Sequence, residues 1–302
     1  MGSQIIGRKA CLIVIDGWGV HDDDEDNGLD AIRHAKTPHM DKLQSTFPST
    51  QLYAHGLHVG LPDGLMGNSE VGHLNLGAGR VVYQDIVRID LAKKSGDLYE
   101  NEALKGVISR CQGNHSALHL IGLVSDGGVH SHLDHLKALL LDCKLNGIRE
   151  VYVHAITDGR DVGPKTCTKY LHEIADFMTK EGIGKLASVV GRYYAMDRDK
   201  RWERTESAYR MFTEAKGLEF DSIDQLVESR YSLNETDEFF GPSILKRGYT
   251  NISPEDGIIF FNFRSDRMRQ LVTCFLGRQV EISDQKFTVP IISSLQTRIS
   301  SP

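Results

Sequence analysis

At 302 residues, with 40% hydrophobic and 25% charged side chains, the chain has the make-up of a globular protein long enough for two domains. A net charge of −6 and a pI near 6.1 argue against general nucleic-acid binding, so an anionic ligand would have to be met by local arginine clusters. The first apolar run leads straight into Asp16 rather than into a cleavage site, which predicts neither a signal peptide nor a membrane span. Cys11, Cys111, Cys143, Cys167 and Cys274 are scattered and predict reduced thiols of a cytoplasmic protein, some of them in the core.

In chain order, Ala10 to Ile15 is short, unbroken and apolar, the pattern of a strand buried on both faces of a parallel sheet, ending at Asp16. Val20 to Asp26, rich in aspartate and histidine, reads as a solvated loop rather than a metal cage. Thr37 and Pro38 open a helix running to about Ser45. Gly67-Asn68-Ser69-Glu70-Val71-Gly72 places a serine where a tight turn becomes a helix. That hexapeptide has two readings, an ordinary capped helix start or a serine held at the positive end of a helix dipole to meet a phosphate. Gly67 and Gly72 would let neighbouring backbone come close.

Further on, Ala117 to Val124 is a buried strand ending in Ser125-Asp126-Gly127-Gly128. A helix then carries Leu133, Leu136, Leu139, Leu140 and Cys143 at helical spacing. Val151 to Ile156 is a strand ending at Thr157-Asp158-Gly159-Arg160-Asp161, followed by a helix with Leu171, Ile174, Phe177 and Met178 on one face. Leu186 to Val190 is a third strand, followed by a helix from about Arg201 to Ala215, and Gly257 to Phe263 is a fourth, ending in Arg264. This alternation predicts an α/β fold with mostly parallel sheets. Ligands of such sheets bind outside the carboxyl ends of the strands, so Asp16, Asp126, His130, Arg160, Asp161, Arg192 and Arg264 are candidates to converge on one site.

Guanidinium groups suit a phosphate ester because they give its oxygens paired, charge-assisted hydrogen bonds. Arg192 and Arg198 lie in one segment, and Arg264 and Arg267 in another. The latter two are three apart at a strand-to-helix junction, which predicts one side of a first helical turn, facing an anion or else forming a solvated helix start paired with Asp266. Asp158-Gly159-Arg160-Asp161 reads equally well as a plain turn or as an arginine beside a carboxylate able to exchange a proton. His130, His132 and His135 match no firm zinc spacing, and one of them contacting phosphate is an alternative to exposed helix-start histidines.

Taken together, Ile13-Val-Ile-Asp16-Gly-Trp-Gly19, Leu65-Met-Gly-Asn-Ser69-Glu-Val-Gly-His73, Gly79-Arg-Val-Val-Tyr-Gln-Asp85, Ser125-Asp-Gly-Gly-Val-His130-Ser-His132, Thr157-Asp-Gly-Arg160-Asp161, Gly191-Arg-Tyr-Tyr-Ala-Met-Asp-Arg198 and Phe260-Phe-Asn-Phe-Arg264-Ser-Asp-Arg267 resemble, in order, the cofactor-independent (2,3-bisphosphoglycerate-independent) phosphoglycerate mutases. The resemblance implies interconversion of 3-phosphoglycerate and 2-phosphoglycerate in glycolysis through a phosphoserine intermediate. It also implies two divalent metals, manganese first with magnesium or cobalt as alternatives, and no 2,3-bisphosphoglycerate. Ser69 matches the nucleophile, and Asp16 and Ser69 match ligands of one metal. His130, Arg160, Asp161, Arg192, Arg198, Arg264 and Arg267 match substrate-binding positions, with Asp161 the candidate for proton transfer. A soluble monomer with no nucleic-acid or membrane partner is expected.

The implied fold is α/β, a partial alkaline-phosphatase-like domain plus an inserted α/β phosphotransferase (substrate-binding) domain. Residues 1–83 correspond to the first piece of the metal-binding domain, 84–280 to the phosphotransferase domain and 281–302 to a divergent tail. Family members are considerably longer, and the remaining metal ligands would follow residue 302. The expectation is therefore little or no mutase activity for this chain alone, and a first domain less well ordered than the second. Two alternatives are a non-catalytic phosphoglycerate-binding protein and another metal-dependent phosphatase or phosphomutase of the alkaline-phosphatase superfamily.

Overall fold

The computed structural model describes residues 11–15, 17–18, 30–276, 280–282 and 285–287. The chain divides into two compact units, Met1–Tyr83 and Gln84–Pro302.

In the first unit the described elements are α1 (Ala31–His34), α2 (Pro38–Thr46), a 3-10 turn (Gly56–Val59) and α3 (Ser69–Ala78). The predicted helix from Thr37 is present. Pro38 opens it, and the Thr37 hydroxyl donates to Asp41 (2.9 Å) rather than capping a backbone N–H. The predicted strand is not formed over residues 11–15, where Leu12 and Ile13 are 73% and 76% exposed. An apolar run becomes a strand only when neighbours accept its ladder of hydrogen bonds, and no strand is found among the described residues of this unit. Polar and backbone contacts hold the unit instead. The Asn75 side chain donates to the Val59 carbonyl (3.0 Å) and accepts from the Val82 N–H (2.7 Å).

The second unit is a three-layer α/β/α arrangement. It opens with α4 (Asp85–Ser95) and α5 (Glu102–Asn114) and continues β1 (Leu118–Leu123), α6 (Leu133–Leu145), β2 (Val151–Thr157), α7 (Cys167–Glu181), β3 (Lys185–Gly191), α8 (Arg192–Ala195) and α9 (Trp202–Glu214). After these come β4 (Leu218–Phe220), α10 (Ile223–Ser232), β5 (Ser243–Leu245), β6 (Gly257–Phe260), α11 (Arg269–Phe275) and a small antiparallel pair, β7 (Val280–Ile282) and β8 (Gln285–Phe287). The sheet order is β4-β5-β3-β2-β1-β6. Strands β6, β1, β2 and β3 are parallel, β5 runs antiparallel to β3, and β4 is parallel to β5.

Side-chain alternation divides the core into two. Leu118, Leu120, Val153 and Ala155 pack under α5, α6, α7 and α10, while Ile121, Leu123, Ile156 and Val190 pack under α9 and α11. The predicted apolar faces of the two helices after β1 and β2 are the buried ones: Leu136 and Leu140 of α6, and Leu171 and Ile174 of α7. One polar thread crosses the second face. Ser188 Oγ lies 2.7 Å from His154 Nδ1, His154 Nε2 is 2.9 Å from His119 Nδ1, and His119 Nε2 is 3.2 Å from Asp256. Complete burial pushes the His154 pKa well down, so its ring is neutral. Cys111, Cys143, Cys167 and Cys274 are buried free thiols, and Cys11 is exposed.

Candidate functional site

Four loops leave the carboxyl ends of the parallel strands, and each carries part of a charged cluster. From β1 come Ser125 and His130, from β2 Asp158, Arg160 and Asp161, from β3 Arg192 and Arg198, and from β6 Arg264, Asp266 and Arg267. Gly159 turns the β2 loop with φ +68°, where a Cβ would sit 2.7 Å from the Glu238 backbone nitrogen, so the local sequence is forced to glycine.

At the centre, Arg192 Nη1 donates to both Asp158 Oδ1 and Asp161 Oδ2, each at 2.6 Å. Asp161 Oδ2 is also 3.7 Å from His130 Nε2. Asp266 bridges two arginines, accepting from Arg198 (2.9 Å) and Arg264 (3.0 Å), while Arg160 lies 3.7 Å from Glu238. Arg267 differs from the other four. Its Nη1 donates to the Met196 carbonyl (3.3 Å), and among the described residues no ion pair with a carboxylate is found for it. Burial lowers the Arg267 pKa, and the charges of Arg192, Arg198 and Arg160 lower it further. The charge of Asp266 opposes this, and a bound anion would relieve the remaining repulsion among the arginines.

His130 is almost wholly buried, and its Nδ1 has no hydrogen-bond partner among the described residues. Burial brings its pKa down to about 4, Arg192 adds to the fall, Asp161 opposes it, and Arg264 and Arg267 reinforce it. At neutral pH the ring is uncharged. Burial opposes ionisation of Asp266, yet the hydrogen bond from Arg198 and the charge of Arg264 hold its carboxyl below the usual range.

His130, Arg160, Asp161, Arg192, Arg198, Arg264 and Arg267 are thus brought together. Asp126 is not, because it accepts from Tyr170 (2.5 Å) and Lys169 (3.2 Å). His132 caps α6 with its ring 5.8 Å from that of His135, which faces Asp90 (3.0 Å), whereas His130 lies beside Asp161 in the arginine cluster. Arg264 and Arg267 precede α11 rather than sharing its first turn. Arg264 turns back to Asp266, and Arg267 reaches toward the β3 loop. The carboxylates that sequence reasoning passed over as holders of the arginines are Asp158 and Glu238, whereas the alternative pairing with Asp266 is the one Arg264 makes. Asp158 and Asp266 lay inside motifs read for their arginines.

Ser69 lies in the first unit, as the first residue of α3. Asn68 is the cap, its Oδ1 accepting from the Val71 N–H (3.1 Å). Ser69 Oγ is 3.2 Å from His73 Nδ1, one helical turn on, a neighbour that i, i+4 spacing could have flagged. A Cβ on Gly67 would fall 1.7 Å from the Ala54 carbonyl oxygen, as expected of a close approach, whereas Gly72 faces open space. Asp16 lies outside the described residues, as does the whole of Val20 to Asp26. Among the described residues no group of three or more His, Cys, Asp or Glu side chains is placed to hold a metal ion. Ser69 and His73 do not by themselves fit a divalent cation.

The family model described as the BPG-independent PGAM N-terminus matches residues 89–296, all within the second unit. The chain belongs to the 2,3-bisphosphoglycerate-independent phosphoglycerate mutase family. It is 52% identical over 269 residues to the enzyme of that name from Caenorhabditis elegans, covering 88% of this chain and 49% of the relative. It is 50% identical to that of Onchocerca volvulus, covering 89% and 52%. These aligned spans exceed the whole second unit, so the likeness reaches into the first. The fold is similar to a crystal structure of Leishmania mexicana phosphoglycerate mutase at low cobalt concentration, with a TM-score of 0.69, 33% identity, and coverage of 83% of this chain and 48% of that one. The chain spans about half the length of these relatives. Membership implies a divalent metal and independence from 2,3-bisphosphoglycerate. The α/β architecture matches the expected phosphotransferase domain, and no described helix is long and apolar enough to cross a membrane.

Proposed function

We propose that this chain carries the phosphoglycerate-binding and phosphoryl-accepting residues of an enzyme that interconverts 3-phosphoglycerate and 2-phosphoglycerate. The observation that carries the reading is the convergence of five arginines and a neutral histidine at four parallel strand ends, with Arg267 among three other arginines, opposed by Asp266 but in no ion pair with a carboxylate among the described residues. Arg160, Arg198 and Arg264 are about half exposed and are the groups on which a phosphate or carboxylate can land. Arg192 is buried and works from behind them.

In this reading the Ser69 hydroxyl gives up its proton to solvent as Oγ attacks phosphorus, the bond to the glycerate O3 breaks, and O3 takes a proton. Then O2 loses a proton and attacks the phosphoserine, and the Ser69 Oγ that leaves is reprotonated from solvent. The proton taken up at O3 balances the one lost from O2, and Asp161 is the carboxylate assigned to carry it, with His130 neutral beside it. The same reading includes manganese as the metal with Asp16 and Ser69 among its ligands, residues 1–83 as part of a metal-binding domain, 84–280 as the substrate domain and 281–302 as a tail. A monomer in the cytoplasm completes it.

Because Asp16 and Ser69 alone do not complete a metal shell, the 302-residue chain is expected to bind 3-phosphoglycerate but turn it over poorly. Calorimetry with 3-phosphoglycerate, mass spectrometry for phosphate on Ser69 and a coupled assay with manganese test this. Absence of binding overturns the site, and turnover at an ordinary enzymatic rate overturns the expectation of a weak catalyst.

A further inference from the structure

Asp158 is 2% exposed and gathers four donors on one carboxylate. Oδ1 accepts from Arg192 Nη1 (2.6 Å) and from the backbone N–H groups of Asp161 (2.9 Å) and Arg160 (3.2 Å), and Oδ2 accepts from Ser125 Oγ (2.7 Å). These donors come from the ends of three adjacent strands, β1, β2 and β3. A buried guanidinium held at 2.6 Å by two carboxylates has one orientation open to it. We infer that Asp158 is a positioning residue: it presets Arg192 and the Arg160-Asp161 loop before substrate arrives, so that their ordering is not left to the ligand's binding energy. The inference rests on the reading of this cluster as the phosphoglycerate site.

Asp158→Asn separates charge from shape. The amide oxygen still accepts from the loop N–H groups, and the amide nitrogen can donate to Ser125 Oγ, so what is lost is the charge facing Arg192. The variant is expected to bind 3-phosphoglycerate at least about tenfold more weakly. If Asp158 acts through Arg192, the loss largely disappears in an Arg192→Lys background, and a double-mutant cycle reads that coupling. Additive losses, or unchanged affinity in Asp158→Asn, overturn the assignment.

Should the variant fail to fold, the wild-type protein still decides the matter. Nitrogen-15 spectra of the arginine side chains are expected to show slowed rotation of the Arg192 guanidinium without ligand and little change when 3-phosphoglycerate is added. Free rotation of Arg192 in the unliganded protein sinks the inference. If the wild type shows the slowed Arg192 signals but no affinity for 3-phosphoglycerate, the functional reading falls while the clamp stands.

Discussion

The two units contain similar local signals but use them differently. In Gln84–Pro302 the apolar runs that form the parallel strands have neighbours: Leu120 and Val153 lie in adjacent strands and are fully buried beneath α6 and α7. In Met1–Tyr83 the equally apolar Leu12 and Ile13 are exposed, and α1 and α2 bury no residue. Strand propensity is therefore a statement about partners, since burial and a ladder of hydrogen bonds must together offset the loss of chain entropy. The same contrast governs chemistry. The arginine cluster is fixed by four strand ends and internal carboxylates, whereas Ser69 is fixed by one helix start and its own turn.

The largest expected difference is in local opening. Amides of β1, β2 and β3 should exchange more slowly than those of α2 and α3 by roughly a thousandfold or more, and proteases should cut within 30–83 before 118–275. Hydrogen exchange with mass spectrometry measures both, and equal protection of the two regions would break the comparison. Next in size is a pair of truncations. Leu136→Ala, at a wholly buried position of α6, should cost about 3 kcal/mol in urea unfolding, while Leu43→Ala, half exposed on α2, should stay within about 0.5 kcal/mol. A comparable loss from Leu43→Ala would mean that α2 has a packed face.

Legibility in the sequence followed the same division. The strands β1, β2 and β3 and the helices α6, α7 and α9 were readable because unbroken apolar runs and helical periods coincide with burial. β4 and β5, three residues each, are too short to show a period, so the antiparallel step beside β3 was missed. Among site residues, the arginines stood out because cations at strand ends have few structural uses. Asp158 was hidden because Asp-Gly is also ordinary turn chemistry, and its role depends on Ser125 and Arg192, distant in sequence. The apolar run 10–15 was read as a buried strand because the partners a strand needs leave no trace in its own residues.

His130 sharpens the contrast through pH. Its folded pKa, about 4, lies below the ordinary 6.5, so protonation favours the unfolded state. The stabilisation is complete above pH 6.5 and is lost as pH falls from there toward 4, at most about 3 kcal/mol for a ring this buried. Urea melts at pH 7.5, 5.5 and 4.5 should show this slope in the wild type and a shallower one in His130→Asn. Equal slopes would remove His130 from the acid response. Phosphoglycerate binding should favour the imidazolium, so calorimetry below pH 6 in buffers of different ionisation enthalpy should register proton uptake.

The smallest effect is the most discriminating. Asn68 caps α3 through a single 3.1 Å hydrogen bond to the Val71 N–H, and Asn68→Ala should cost about 1 kcal/mol. If the units open independently, that loss appears as roughly fivefold faster exchange at the start of α3, with the amides of β1 to β3 unchanged. Equal acceleration in both would show that the helix start carrying Ser69 unfolds only together with the sheet that holds the arginines. The serine would then share the stability of the second unit despite lying outside it, and the contrast would be one of packing alone.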